Sequence, residues 1–207
     1  PIAEQTGLII ELGNYILEQA IIKLALWDKA GIKLQQFSVN ISMRQLMHTD
    51  FVAYALDLCQ QHLTPTLTKK LVFELTESVI AENPVKISSI MEQLIDSGIT
   101  FSMDDFGTGY SSLSYIRQLP IDEIKIDRSF VKDIGQEMDA QQMIITILEM
   151  ARIFNLRIVA EGVETDTQLA FLRQHNCHLI QGYYFSRPLN SKKFSEFYSQ
   201  SWRDSTP

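Results

Sequence analysis

Cysteine, nucleotide-binding glycine fingerprints and long hydrophobic runs are scarce or missing in this sequence. Only two cysteines occur among 207 residues. Cys59 and Cys177 stand outside any CxxC or cysteine–histidine pattern, so we expect two reduced, buried thiols and no structural zinc site. No segment approaches the roughly 20 apolar residues of a membrane-spanning helix, and no signal peptide is visible. No GxGxxG follows the first predicted strand, which disfavours a dinucleotide-binding sheet.

Basic residues are also fewer than acidic residues. The 18 basic residues are outnumbered by 25 acidic ones, for a net charge of −7. This balance argues against a DNA- or RNA-polymer binder, although bound cations could still bring a phosphate ligand to an acidic site. We expect a cytoplasmic domain, either on its own or as the cytoplasmic part of a larger membrane-attached sensor. Hydrophobic residues make up 45% of the chain, which is enough for a substantial core.

The sequence does contain a regular alternation of strand-like runs and amphipathic helical segments. The predicted strands are Phe37–Ser42, Leu71–Thr76, Thr100–Asp104, Glu123–Asp127, Arg157–Ala160 and His178–Gln181. Strands that alternate with helices indicate an α/β fold with a parallel sheet, either an open doubly wound sheet or a (β/α) barrel.

Polar side chains appear where each predicted strand ends. They are Asn40, Glu74, Asp104, Asp105, Lys125, Asp127, Glu161 and Gln181. Each alone has an ordinary explanation as a turn residue, a strand-end amide or half of an ion pair. In a (β/α) barrel, however, the carboxyl ends of all strands meet at one rim, where active sites form. The shared position favours a TIM-like barrel with a functional site at that rim.

Several carboxylates at one rim require positive charge, because they otherwise repel one another and raise each other's pKa. Mg²⁺ or Mn²⁺ supplies such charge and prefers oxygen ligands. Two such ions could share an aspartate and activate water for attack on a phosphodiester. A nearby lysine could orient that water and offset negative charge on the phosphate.

The strand-end residues belong to longer motifs in a fixed order. These are VNIS (39–42), ELTE (74–77), DDFGTGYSSL (104–113), KIDRSF (125–130), AEGVET (160–165) and QGY (181–183). As a set they resemble the EAL-domain family of bacterial cyclic di-GMP phosphodiesterases, over residues 1 to about 189. The resemblance implies hydrolysis of cyclic di-GMP to linear pGpG, with two Mg²⁺ or Mn²⁺ ions per site.

The resemblance also implies roles for individual residues. Asn40, Glu74 and Asp104 bind one metal, and Asp104, Asp105 and Glu161 bind the second. Catalysis is assigned to Lys125, Glu161 and Asp105, with Lys125 holding the attacking water. The resemblance assigns four more residues either to contacts with the substrate or to contacts that position the metal ligands. They are Asp127, Gln181, Glu77 and Glu164. A homodimer is expected through the region of the Asp105–Ser112 loop.

The sequence departs from the family at its start, since no Glu-Ala-Leu motif is present. In the family, two strands precede the helix that begins near Gly7, and six plus two strands complete an eight-stranded barrel. We therefore expect an N-terminally truncated phosphodiesterase domain at residues 1–190, followed by a C-terminal helix and polar tail at 191–207. The truncated chain should be less stable than a whole barrel and have little turnover.

Two other readings remain open beside the enzyme. A receptor could bind cyclic di-GMP without cleaving it, and an interaction module could dimerise and transmit signals from elsewhere. Silent members of such a family usually lose site carboxylates, whereas every position that this sequence contains is intact. The intact set favours a catalytic parent.

Overall fold

Six parallel strands form one sheet in the computed structural model, which describes residues 2–76, 84–108, 117–136 and 138–203. The strands are β1 (Phe37–Asn40), β2 (Leu71–Thr76), β3 (Thr100–Phe106), β4 (Glu123–Ile126), β5 (Arg157–Ala160) and β6 (Leu179–Ile180). Their order in the sheet follows their order in the chain. A doubly wound sheet reverses its order at a switch point. The unbroken order is that of a (β/α) barrel, so the α/β, TIM-like fold is confirmed with β1 and β6 as edges.

Helices flank the strands on the outside of the sheet. They are α1 (Ile2–Thr6), α2 (Ile9–Lys29), α3 (Met43–Leu46), α4 (Phe51–His62), α5 (Pro65–Thr68), α6 (Pro84–Ile95), α7 (Arg128–Lys132), α8 (Met138–Ile153), α9 (Asp166–Gln174) and α10 (Ser191–Arg203). The longer ones agree with the 3.6-residue apolar periodicity of the sequence. Within the described residues, no helix is long and apolar enough to span a membrane.

Local capping sets where two strands end, and here the sequence prediction needs correction. The first strand stops at Asn40 rather than Ser42, because the Ser42 hydroxyl accepts a hydrogen bond from the Gln45 N–H and caps α3. The fourth stops at Ile126 rather than Asp127, because the Asp127 carboxylate accepts from the Ser129 N–H and caps α7. Both polar side chains thus begin a helix rather than end a strand.

Two further strand ends differ from the prediction. The third strand continues to Phe106, with a register irregularity against β4 between Met103 and Phe106. The sixth is only Leu179–Ile180. The strands at Leu71–Thr76 and Arg157–Ala160 match the prediction to the residue.

The core lies between the sheet and the helices. In β2, every residue from Leu71 to Leu75 is buried, as expected of a parallel strand covered on both faces. Phe73 packs between Phe51 of α4, with ring centroids 6.1 Å apart, and Phe101 of β3, at 5.9 Å. These aromatic contacts tie the second and third strands to the helical layer.

The C-terminal helix α10 begins at Ser191, as predicted, and docks on the end of α2. The Phe194 ring lies 4.6 Å from the Trp27 ring, and the Tyr198 hydroxyl accepts a hydrogen bond from the Lys33 N–H at 3.0 Å. The helix therefore packs directly against the body of the preceding residues. The tail at 204–207 lies outside the described residues.

Truncating Phe73 should test the aromatic core. The Phe73→Ala change removes a fully buried ring and should lower the free energy of unfolding by about 3–5 kcal/mol. The matched change Phe197→Ala affects a ring that is 38% exposed and should cost far less. Urea unfolding followed by circular dichroism provides the comparison, and equal losses for the two variants would contradict this packing.

The two cysteine thiols should be unreactive in the folded chain. Burial raises the pKa of Cys59 and of Cys177 to about 11, so almost no thiolate forms at pH 8. Because the pKa of each thiol is raised in the folded state, its contribution to the free energy of unfolding is fully present at neutral pH. That contribution is lost as the pH rises towards 11. Labelling with a thiol reagent at pH 8 should be slow in buffer and fast in urea. Rapid labelling without urea would show that the thiols are accessible.

Candidate active site

The ammonium group of Lys125 lies at the point where three carboxylates converge. Its Nζ is 3.0 Å from Glu74 Oε2, 3.2 Å from Asp104 Oδ1 and 2.6 Å from Glu161 Oε1. Lys125 and Glu74 are buried, with 4% and 6% of their surface exposed. Four strand ends thus place one cation and three anions within contact distance.

The parallel register explains this convergence. Side chains alternate across a strand, so Lys125 faces the inside of the sheet, whereas its neighbours Ile124 and Ile126 are fully buried against the helices. Glu74 on β2 and Asp104 on β3 lie at the carboxyl ends of their strands, and Glu161 directly follows β5. The predicted meeting of strand-end groups is therefore observed for these four residues.

Burial and the neighbouring opposite charge shift the pKa values of Lys125 and Glu161 in opposite directions. Burial alone would lower the pKa of Lys125, but the hydrogen bond to Glu161 and the charges of Glu74 and Asp104 raise it above its usual value. The pKa of Glu161 is raised, chiefly by burial and further by Asp104 and Glu74, although Lys125 opposes this. Lys125 is accordingly held as a cation, and it keeps the carboxylates together.

A second acidic pair lies beside this cluster. Asp105 has a positive φ of 55°, and its N–H donates a hydrogen bond to Asp104 Oδ1 at 3.0 Å. Burial raises the pKa of Asp105, and the nearby negative charges of Asp104 and Asp127 raise it further. The pKa of Asp127 is lowered despite its burial, because the hydroxyl and N–H groups of Ser129 donate to it.

The left-handed turn at Asp105 sends adjacent carboxylates in different directions. Asp104 contacts Lys125, whereas Asp105 lies near enough to Asp127 for their negative charges to interact. Such a backbone conformation is uncommon outside glycine and is often found at functional sites. The proximity of Asp105 to Asp127 was not evident from the sequence, because it depends on this turn.

Other predicted site residues lie around the cluster without a direct hydrogen bond to it. Asn40 is exposed and stands opposite Glu74 in the register of β1 and β2. Gln181 and Glu164 are exposed, and with Glu161 they line a cavity of about 470 Å³ next to the cluster. Glu77 lies outside the described residues, as does part of the Asp105–Ser112 loop.

Close packing of two loops shapes the lining of this cavity. A Cβ atom at Gly182 would overlap backbone atoms of Val163, so only glycine fits between the loops after β5 and β6. In the same cavity lining, the guanidinium of Arg187 stacks on the Tyr183 ring, 4.8 Å from the ring centroid. Arg128 also lines the cavity, so two cations border it.

These two arginines were missed in the sequence, although both stand beside recognised motifs. Arg128 follows Asp127, and Arg187 lies five residues beyond Gly182.

The sequence did not predict a buried network at the opposite end of the sheet either. There Glu123, with no exposed surface, accepts a hydrogen bond from Gln36 at 3.0 Å and lies 3.6 Å from Arg157.

The oxygen donors of the cluster suit a hard divalent cation. Glu74, Asp104 and Glu161 offer carboxylate oxygens, and Asn40 offers an amide oxygen on the adjacent strand, which are the ligand types that Mg²⁺ and Mn²⁺ prefer. Among the described residues, no three acidic, histidine or cysteine side chains form an open metal-binding group. Lys125 Nζ lies where the three carboxylates meet, so this cation and a metal ion would compete for the same oxygens.

Comparison with known proteins agrees with this geometry. The family model described as "EAL domain" matches residues 1–188. The cyclic di-GMP phosphodiesterase NbdA of Pseudomonas aeruginosa is 39% identical over 209 residues, which is 100% of this chain and 26% of that protein. The chain spans about a quarter of the length of the curated relatives it matches.

Solved structures extend the likeness to three dimensions. The PaMucR phosphodiesterase in complex with c-di-GMP has a TM-score of 0.88 and 37% identity, covering 94% of this chain and 78% of that one. Klebsiella pneumoniae BlrP1, in a manganese and c-di-GMP complex, has a TM-score of 0.74 and 28% identity, covering 85% of this chain and 45% of that one. By its family match, its relatives and its fold, the chain belongs to the EAL domain family.

Proposed function

We propose that the domain to which this chain belongs hydrolyses cyclic di-GMP to linear pGpG. The observation that carries the proposal is the convergence of Glu74, Asp104 and Glu161 on Lys125 at the carboxyl ends of a barrel-type sheet. Relatives named as cyclic di-GMP phosphodiesterases, and a neighbouring structure in complex with c-di-GMP, support this substrate.

The hydrolysis adds one water molecule to a phosphodiester and breaks one phosphorus–oxygen bond. Bound Mg²⁺ or Mn²⁺ would supply the positive charge that activates water and offsets charge on the phosphate. Asn40, Glu74 and Asp104 would hold one ion, and Asp104, Asp105 and Glu161 would hold the other. Manganese and calcium complexes of a neighbouring structure support a divalent ion at such a site.

The remaining residues position the water and the substrate. Lys125 would donate a hydrogen bond to the attacking water, and Asp127 lies near Asp105. Gln181 contacts the substrate or its water from the cavity, and Glu164 lines that cavity. Glu77 braces the loop that follows Asp105.

The cavity beside Glu161 suits one half of a dinucleotide. Its volume of about 470 Å³ falls in the range of small-molecule sites. Arg128 and Arg187 on its wall balance the negative charge of a phosphate. A homodimer through the Asp105–Ser112 loop region, and a cytoplasmic location, stay predictions.

Activity should depend on Asp104. With cyclic di-GMP and Mn²⁺, a longer natural chain that contains this one should yield linear product, measured by chromatography of the nucleotides. The Asp104→Asn change should lower the rate by at least about a hundredfold, because it removes a carboxylate that would hold the metal ions. The matched change Asp57→Asn, at an exposed position of α4, should leave the rate unchanged.

The receptor alternative gives a different result in the same assay. Tight binding of cyclic di-GMP without product, in the longest natural chain, would overturn the hydrolase and support a binding module. Product formation that survives Asp104→Asn would instead place the reaction elsewhere in the molecule.

Lys125 should oppose metal binding although it serves the reaction. Replacing it by methionine removes the cation that contacts Glu74, Asp104 and Glu161. We expect Lys125→Met to tighten Mn²⁺ binding by at least about tenfold, because the carboxylates then lack a competing charge, and to abolish turnover. Titration calorimetry with Mn²⁺ alone measures the affinity.

The control for this change is Lys132→Met, at an exposed position of α7, which should leave Mn²⁺ affinity unchanged. An affinity for Mn²⁺ that stays the same or weakens in Lys125→Met would show that the lysine does not occupy the oxygens used by the metal.

A further inference from the structure

A second cavity lies at the end of the sheet opposite to the candidate active site. It has a volume of about 530 Å³ and opens among residues at the amino ends of β1 to β5, including Gln36, Lys70, Thr100 and Arg157. This volume falls in the range of small-molecule sites. The residues that line it are different from those assigned to the candidate active site. A ligand in this cavity would therefore leave the carboxylate cluster untouched.

Two buried polar atoms beside this cavity lack a hydrogen-bond partner. Among the described residues they are the only such side-chain atoms, namely Ser102 Oγ and Glu123 Oε2. Ser102 and Glu123 are register partners on β3 and β4. Both face the inside of the sheet, because the adjacent Phe101 packs with Phe73 on the helical side. A buried polar atom without a partner is costly, so the pair indicates a hydrogen-bonding group that these residues do not themselves supply.

The Glu123 carboxylate is directed towards the cavity. Its Oε1 accepts a hydrogen bond from Gln36 Nε2 at 3.0 Å, whereas its Oε2 lies 3.6 Å from Arg157 Nη2, which is too long for one. Gln36 and Arg157 both line the cavity, and Arg157 Nη1 donates to Gln36 Oε1 at 3.1 Å. The Arg157 side chain is 48% exposed, so it can move aside without disturbing the core. Such a movement gives a ligand access to Glu123 Oε2.

The charges that line the cavity favour an anionic group at its mouth. Lys69, Lys70 and Arg157 line it, and neither lysine forms an ion pair with another residue in the described part of the chain. The opposing carboxylates are those of Asp122, which already accepts a backbone N–H, and Glu123. Three cations against two anions leave an excess of positive charge in a chain whose net charge is −7.

We propose that this cavity binds a small sugar phosphate, either free or as part of a mononucleotide. The phosphate lies at the mouth between Lys69 and Lys70, and the sugar hydroxyls form hydrogen bonds with Glu123 Oε2 and Ser102 Oγ. Lysines bind phosphate as point charges, and a carboxylate is the group that holds a ribose hydroxyl in dinucleotide-binding proteins. The inference does not depend on the proposed function, because the two sites lie at opposite ends of the strands.

Titration calorimetry with ribose 5-phosphate tests the site, in a longer natural chain that contains this one. We expect a dissociation constant below about 1 mM. Inorganic phosphate alone and ribose alone should each bind at least about tenfold more weakly, because each makes only part of the contacts. Guanosine monophosphate identifies the source of the ligand. Tighter binding than that of ribose 5-phosphate indicates a mononucleotide, and equal or weaker binding indicates a free sugar phosphate.

Two variants separate the contacts to the phosphate from those to the sugar. Lys70→Met should raise the dissociation constant of ribose 5-phosphate by at least about fivefold, because it removes a charge from the phosphate. Glu123→Gln should raise it by a similar factor but should not weaken the binding of inorganic phosphate, which a general loss of structure would do. Lys192→Met, at an exposed position of α10, is the matched control and should have no effect. Thermal melting followed by circular dichroism shows that each variant is folded, and Ser102→Ala replaces Glu123→Gln if the latter is not.

Four outcomes would overturn the proposal. One is the absence of binding up to about 10 mM ribose 5-phosphate, and another is equal affinity for inorganic phosphate, which would leave only a surface that attracts anions. Affinity that stays the same in both Lys70→Met and Glu123→Gln would place the ligand elsewhere. Competition between ribose 5-phosphate and cyclic di-GMP would assign the binding to the cavity beside Glu161. None of these results bears on hydrolysis of cyclic di-GMP, so the two proposals fail separately.

Discussion

Several carboxylates can share one end of a sheet only when positive charge lies among them. In this protein Lys125 provides that charge, in contact with Glu74, Asp104 and Glu161. A buried cluster of this kind is costly to remove from water, and it is stable only while every member has a partner. The rim of the sheet is therefore organised around one ammonium group.

The sheet makes this arrangement possible. Parallel strands in sequential order bring residues from four separate strand ends to one place, although Glu74 and Glu161 are far apart in the chain. The capping of α7 by Asp127 and the left-handed turn at Asp105 then add a second acidic pair at the same rim. Metal-dependent cleavage of a phosphodiester is the chemistry that such a group of oxygen donors favours.

The sequence by itself determined the strand–helix alternation, the α/β barrel class and the four residues that converge at the rim. Apolar periodicity located the strands at Leu71–Thr76 and Arg157–Ala160, and polar residues at strand ends identified the four members of the cluster. Only the tertiary structure decided that Lys125 sits among the three carboxylates and that Asp105 lies near Asp127. It also decided that Arg187 and Tyr183 border the cavity. The reason is physical: periodicity reports which face a side chain occupies, whereas these contacts depend on register, caps and turns that join distant parts of the chain.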